Sequence, residues 1–516
     1  MRGAVAAGHP LTAEAGAAVL AEGGNAVDAC IAAAFVSWVA ESTLTGPGAG
    51  GFMLVHRARD RTTRVLDHFV TVPGLGLGRH EVAEMDSVDV AFTPESSQAF
   101  RIGAASCAVP GAAAGLGEAH RLFGTLPWRT LLEPAIRHAR EGIVLTKSQA
   151  YLHAILDLIL RHTDEGRAIY GRNGDRLVAG DRLVMTDLGG TLERLAEHGA
   201  DDLYRGELAR ALAAHLRAGG GAITERDLAE YRVIRRRPVR ARFLDHDFES
   251  NPPPSAGGVL IGLGVSLLDR LGPAGPPGSA EAIAQLVEIM REQDATRNEA
   301  FARALYRGGL ARRLLDSQSV TAAQRRLRRR LPEAVAGTTH IAVVDGKGNA
   351  ASLTASTGSG SGVVVPGTGI QLNNMLGEFD LAATGRVPRP GVRFTSGMAP
   401  SLVLRDRRPR LVVGSAGSLR LRGAIFQIVI NAVAHGMGVE EAIDRPRVHL
   451  DGDDVHCEGG NDPGELERLE EWGYRLVRWR RRNLYFGGAA GVEFREDGSL
   501  AAAGDARRGG HGVVIE

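Results

Sequence analysis

The 516-residue sequence predicts a mixed α/β fold, and three stretches carry that expectation. Residues 337–354 read as a β-hairpin: two β-prone runs flank the Gly/Asn-rich break Gly346-Lys347-Gly348-Asn349. Residues 11–41 read as two Ala-rich helices interrupted at Gly23-Gly24-Asn25. Residues 129–230 are mostly amphipathic helix with polar breaks, and strand character returns over 236–250.

The length allows one large domain or two ordinary ones with an ample core. The 61 basic and 60 acidic side chains nearly cancel, so neither nucleic acid nor a membrane surface is an implied partner. Cys30, Cys107 and Cys457 are scattered and form no CxxC pair, which argues against a disulfide framework or zinc site and for a cytoplasmic location. The apolar run 29–40 is too short to span a bilayer. There is no HExxH, no Cys/His cluster and no P-loop, so no metal or organic cofactor is implied.

Taken in order, Thr12 is the expected N-cap of the first helix. The second helix, with Val27, Cys30, Ile31, Ala34, Phe35 and Val39, is apolar on more than one side. Gly46-Pro47-Gly48-Ala49-Gly50-Gly51 then leads into the strand Phe52-Met53-Leu54-Val55. A dinucleotide fingerprint needs its strand before the glycines and its helix after them; here the order is reversed, so close backbone approach is the better account. A strand follows over 63–67, and 74–100 reads as irregular. Helices open at Val109-Pro110-Gly111 and Leu126-Pro127-Trp128. The Pro252-Pro253-Pro254 loop precedes a helix to Arg270, and another helix covers 280–305. The basic run Arg325–Arg330 reads as a solvated helix face. Gly358-Ser359-Gly360-Ser361-Gly362 is expected to be a flexible loop, and Gly414-Ser415-Ala416-Gly417-Ser418 turns a strand into a long apolar helix over 421–433.

The chemistry centres on Gly337-Thr338-Thr339. A threonine hydroxyl is a weak nucleophile without a base beside it. An N-terminal threonine carries one, its own α-amino group, whose pKa of about 7.7–8.0 leaves part of it neutral at physiological pH. That amine exists only after the Gly337–Thr338 bond is broken, and the preceding glycine admits the strained geometry of self-attack. Taken alone, the triplet reads better as a strand start with two β-branched residues.

The company it keeps resembles the γ-glutamyltransferase family of N-terminal-nucleophile hydrolases almost from end to end. The matching motifs are Gly23-Gly24-Asn25-Ala26-Val27-Asp28-Ala29, Gly50-Gly51-Phe52-Met53-Leu54, Val109-Pro110-Gly111, Leu126-Pro127-Trp128, Pro252 to Gly258, and Thr338-Thr339-His340 with Val343-Val344-Asp345 and Gly348-Asn349-Ala350. The resemblance implies a four-layer αββα sandwich, made as a precursor and split into paired subunits, 1–337 and 338–516. It implies Thr338 as nucleophile, Ser356 as the hydroxyl orienting its amine, and Gly417 and Ser418 as backbone donors to the oxyanion. That last role suits the start of a long helix, whose free N–H groups favour negative charge. Glu378 matches the acid for the substrate α-amino group, and Ser396 the first of two carboxylate-binding serines.

Three positions depart from the family pattern. Gly397 replaces the second serine, Gly358 falls near a usual asparagine, and Phe69 stands where the family has its arginine for the substrate α-carboxylate. A phenyl ring cannot supply that bidentate contact; Arg101 or Arg393 is the candidate to replace it. The implied partners are a small-molecule acyl donor and acceptor, and the two cleavage products for each other. Three functions stay open: transfer of a γ-glutamyl or related acyl group, the same mechanism on a non-glutamyl group as an acylase or C–C bond hydrolase, and an unprocessed binding protein of the same fold.

Overall fold

The structure, a computed structural model, describes residues 2–78, 81–93, 96–326, 338–378, 381, 387–417 and 420–516, with side chains at 91–98, 325 and 326 excepted. Gly337, Ser418 and most of the basic run at 325–330 lie outside the described residues.

Two antiparallel sheets form the centre. The first has seven strands in the order Ile234–Arg236, Thr62–His68, Gly50–Arg57, Ala350–Ser356, Thr339–Asp345, Gly3–Ala7 and His511–Ile515. The second has six, Val239–Phe243, His246–Ser250, Ser401–Arg405, Arg408–Ala416, Gly488–Phe494 and Leu500–Gly504.

Side-chain alternation along the strands produces three separate cores. On the first sheet Val5, Ala7, Met53, Val55, Ile341 and Val343 pack against helices that include Ala26–Ala40 and Trp128–Glu141. Their neighbours Ala4, Ala6, Phe52, Leu54, Ala342 and Val344 meet Leu402, Leu404 and Val412 of the second sheet. Val403, Leu411 and Val413 point the other way, onto helices Gly257–Leu271 and Arg420–Val433. Helix, sheet, sheet, helix is the four-layer αββα sandwich. Every residue of Ala26–Ala40 is buried, which is why that helix has no polar face.

Several local expectations are corrected. The first helix, Pro10–Ala21, is capped by His9, whose ring accepts from the Leu11 N–H; Thr12 lies inside the helix and donates to Glu41 Oε1 at 2.9 Å. The supposedly irregular 74–100 region contains a hairpin, Asp86–Thr93 with Ser96–Ile102, in which Val88 and Val90 alternate with polar neighbours and reach the same core as Phe100 and Ile102. The helix expected over 280–305 breaks at Arg297, and Asn298 caps a second helix, Glu299–Ala304. The 358–362 loop lies inside the protein: all five residues are buried, and its three glycines take φ of +74°, +85° and +72°. Gly48, Gly50 and Gly51 behave as expected, since a Cβ on any of them would overlap backbone of the 371–372, 69–70 or 354–355 segments.

Candidate active site

Thr338 immediately precedes the Thr339–Asp345 strand and is 3% exposed. Thr339 pairs with Ala355, so extending the register by one sets Thr338 opposite Ser356. Alternation sends Thr339 toward the helix layer, where its hydroxyl donates to Glu41 Oε2 at the end of the Ala26–Ala40 helix. His340 faces the other way, bonded to Thr354 Oγ1 at 2.8 Å and seated against Gly414 of the second sheet, where a Cβ would overlap the ring. The same alternation assigns Thr338 to the inter-sheet side. Its carbonyl accepts from Arg508 Nη1 at 3.5 Å.

Thr338 shares a small cavity with Glu41, Ala416, Gly488 and Arg508. Ala416 ends the Arg408–Ala416 strand, and Gly417 follows with φ +120°. Gly417 requires its missing side chain twice: the backbone is in the region glycine favours, and a Cβ would stand 3.0 Å from Gly487 Cα. Its carbonyl accepts from the Arg420 N–H at 3.1 Å as the Arg420–Val433 helix begins. The Gly417 turn is thus at the helix N-terminus and beside the Thr338 cavity. Ser356 closes its strand opposite Gly50, with its Oγ accepting from the Gly358 N–H at 2.7 Å.

Burial sets the electrostatics. It pushes the Glu41 carboxyl up, against hydrogen bonds from Thr339 and Thr12 and the charge of Arg508, which lower it. Burial, with help from Arg420, brings the Arg508 guanidinium down to about 10. His340 is pushed down to about 3 by burial alone, so it is neutral at physiological pH.

The residues aligned with substrate recognition are built into the surrounding loops. Glu378 Oε1 accepts from the Ser359 N–H at 3.0 Å, and Asn374 bonds the same residue through both amide atoms. A Cβ at Gly358 would overlap Asn374 Oδ1, so an asparagine at 358 has no room. Ser396 Oγ accepts from the Met398 N–H at 3.0 Å, and its carbonyl is held by Ser255 and Ala256 of the Pro-rich loop. Gly397 has open space where a side chain would be.

Phe69 is fully buried in the inter-sheet core, stacked on Phe52 with ring centroids 5.5 Å apart. Of its two candidate replacements, Arg393 is already occupied. Its guanidinium donates to the carbonyls of Phe69, Asp67 and Arg232 and to the Tyr231 hydroxyl, and pairs with Asp67 Oδ1 at 3.2 Å. Arg101 is exposed at the end of the hairpin that sequence reasoning missed, and its carbonyl accepts from Asn374 Nδ2 at 3.2 Å. Glu41 and Arg508 were missed as well. Glu41 had one signal, being the first charge after the run 29–40, apolar except for Ser37; Arg508 had none.

A strand-initial threonine in an αββα sandwich, beside a glycine turn at a helix N-terminus, defines an N-terminal-nucleophile hydrolase. Within that class the chain belongs to the γ-glutamyltranspeptidase family, whose model matches residues 12–515. The acylase ACY 1 proenzyme of Pseudomonas sp. (strain SE83) is 34% identical, covering 100% of this chain and 94% of the relative. The glutathione hydrolase proenzyme of Escherichia coli (strain K12) is 29% identical, over 98% and 90%. The crystal structure of cephalosporin acylase from Bacillus halodurans superposes with a TM-score of 0.86 at 25% identity, over 100% and 96%. The chain is accordingly a self-processing hydrolase or acyltransferase of this family.

Proposed function

We propose that the precursor cuts itself between Gly337 and Thr338, that the mature enzyme is the paired fragments 1–337 and 338–516, and that Thr338 is its nucleophile. The free α-amine of Thr338 takes the proton of its own hydroxyl as Oγ bonds the substrate carbonyl carbon. Ser356, opposite in the ladder, orients that amine. The oxyanion is met by backbone N–H groups at Gly417 and Ser418. Collapse breaks the C–N bond and returns the proton to the leaving amine, giving an acyl-threonine. Water or a second amine then attacks the ester, and Thr338 recovers its proton. Ping-pong kinetics follow.

The acyl group we propose is one that needs no α-carboxylate clamp, which sets this enzyme with the acylases rather than the glutathione hydrolases. The observation carrying this is Phe69, stacked in the core while Arg393 is spent on the backbone around it. Gly397, with no hydroxyl to offer, supports it. The acylase name of a 34%-identical relative agrees.

The test is a pair of anilides, γ-glutamyl and 4-aminobutanoyl, which differ only in the α-carboxylate. We expect kcat/KM to differ by less than about tenfold. A preference of about 100-fold or more for the γ-glutamyl donor is the size of a buried charge-assisted pair. That result would overturn the proposal and point to Arg101 as the replacement cation.

A further inference from the structure

We propose that Glu41 is a positioning residue for the Thr338 nucleophile, acting through the hydroxyl of Thr339. This rests on the assignment of Thr338 above. Glu41 follows the fifteen buried residues of the Ala26–Ala40 helix. Its two oxygens are both used: Oε1 accepts from Thr12 at 2.9 Å, and Oε2 accepts from Thr339. Room for the carboxylate is built in, because a Cβ on Gly8 would overlap Oε2.

The consequence is geometric. In a strand, adjacent side chains project to opposite faces, so fixing one fixes the rotation of its neighbour. Thr338 is the residue before the strand, and once the 337–338 bond is cut no chain precedes it. What then stops it from turning is the Thr339–Ala355 pairing, the Arg508 bond to its carbonyl, and the Thr339–Glu41 bond. Glu41 holds the Thr339 hydroxyl of this first residue pair and Arg508 the Thr338 carbonyl. Glu41 comes from residues 1–337 and Arg508 from residues 338–516, so the clamp exists only when both are folded together. Other titratable or polar groups around the cavity are His9, capping the first helix, Gln149, His340 and Asp505. Glu41 makes its contact to the residue beside the nucleophile, which is why its role is positioning.

The test follows self-cleavage of the full chain on a denaturing gel, which requires no substrate, and then kcat and KM of the mature enzyme. Thr339→Val keeps the shape of threonine and removes the donor; Thr339→Ser keeps the donor. We expect T339V and Glu41→Ala each to slow cleavage and lower kcat by about 10- to 100-fold, the equivalent of one hydrogen bond to a charged group, with KM little changed. T339S should stay within about threefold of wild type, and the E41A/T339V double variant should be no worse than the worse single. If E41A does not fold, T339V against T339S decides. Cleavage and kcat of T339V equal to wild type would overturn the proposal and leave the Thr338 assignment standing. A wild-type chain that is never cut before Thr338 would overturn both.

Discussion

Three residues decide most of what is chemical here. In the proposed mechanism Thr338 supplies the hydroxyl, and the cavity it shares with Ala416 and Gly488 lies beside the Gly417 turn. Phe69 carries the proposed absence of an α-carboxylate clamp. Its ring is stacked on Phe52 between the sheets, so it serves the core. Phe69→Ala should cost about 3–5 kcal/mol of stability, as large-to-small changes at buried aromatics do. Denaturant unfolding measures it, and a loss below about 1 kcal/mol would show that the ring is not load-carrying in the core. Phe69→Arg should not restore a carboxylate clamp, since it would bury an unpaired charge where Arg393 already provides one. Glu41 shows the opposite pattern, a carboxyl kept inside an apolar layer, where burial raises its pKa and two hydroxyls and a nearby arginine act against that rise.

At the scale of elements, helix caps and strand alternation position the site. The Ala26–Ala40 helix, which carries Glu41 at its end, starts at a capping box. Asn25 Oδ1 accepts from the Val27 and Asp28 N–H groups at 2.8 and 3.0 Å, and its amide donates to the Phe123 carbonyl at 2.7 Å. Asn25→Ala should destabilise by about 1 kcal/mol or somewhat more, read as a lowered denaturant midpoint with an unchanged slope. Elements of this kind were legible in the sequence. The 337–354 hairpin shows its Gly/Asn break between β-prone runs, the N-terminal helices their Ala-rich runs around Gly23-Gly24-Asn25, and the 421–433 helix its apolar run. The hairpin at 86–102 was not read, although Val88, Val90 and Phe92 alternate with mostly polar neighbours and Phe100 and Ile102 share one face. Nor was the burial of 358–362, where Ser and Gly normally mean solvent. Asn374 and Glu378 bring it inside by satisfying the Ser359 backbone, and such a partner fifteen residues on leaves no local trace. The fate of Arg393 was hidden for the same reason, since its partners come from 67, 69, 231 and 232.

On the scale of the molecule, the two proposed fragments are interleaved. In the seven-stranded sheet, strands of 338–516 lie on both sides of Gly3–Ala7, and the six-stranded sheet joins His246–Ser250 to Ser401–Arg405. Cutting one bond therefore cannot release either part without breaking ladders of both sheets. The protein also carries a set of histidines that burial holds neutral: His9, His56 and His153 down to about 4, His68 and His340 down to about 3. The sign follows from linkage. With folded values below the unfolded value near 6.5, the unfolded chain binds more protons as pH drops, so this stability is complete above about pH 6.5 and lost as pH falls toward 3 to 4. Each such group steepens the loss by up to about 1.4 kcal/mol per pH unit. Thermal unfolding should show a Tm that is flat from pH 7 to 8 and falls steeply below pH 6. A Tm unchanged between pH 7 and pH 5 would contradict the neutral burial of these rings.

The most direct test of the central claim is the intact mass and N-terminal sequence of the purified wild-type protein beside its Thr338→Ala variant. The account predicts two wild-type fragments that purify together, the shorter beginning with Thr338, and a variant that stays a single 516-residue chain without acyl transfer. An uncut wild-type chain, a new N-terminus other than Thr338, or a T338A variant still split at this bond would contradict it.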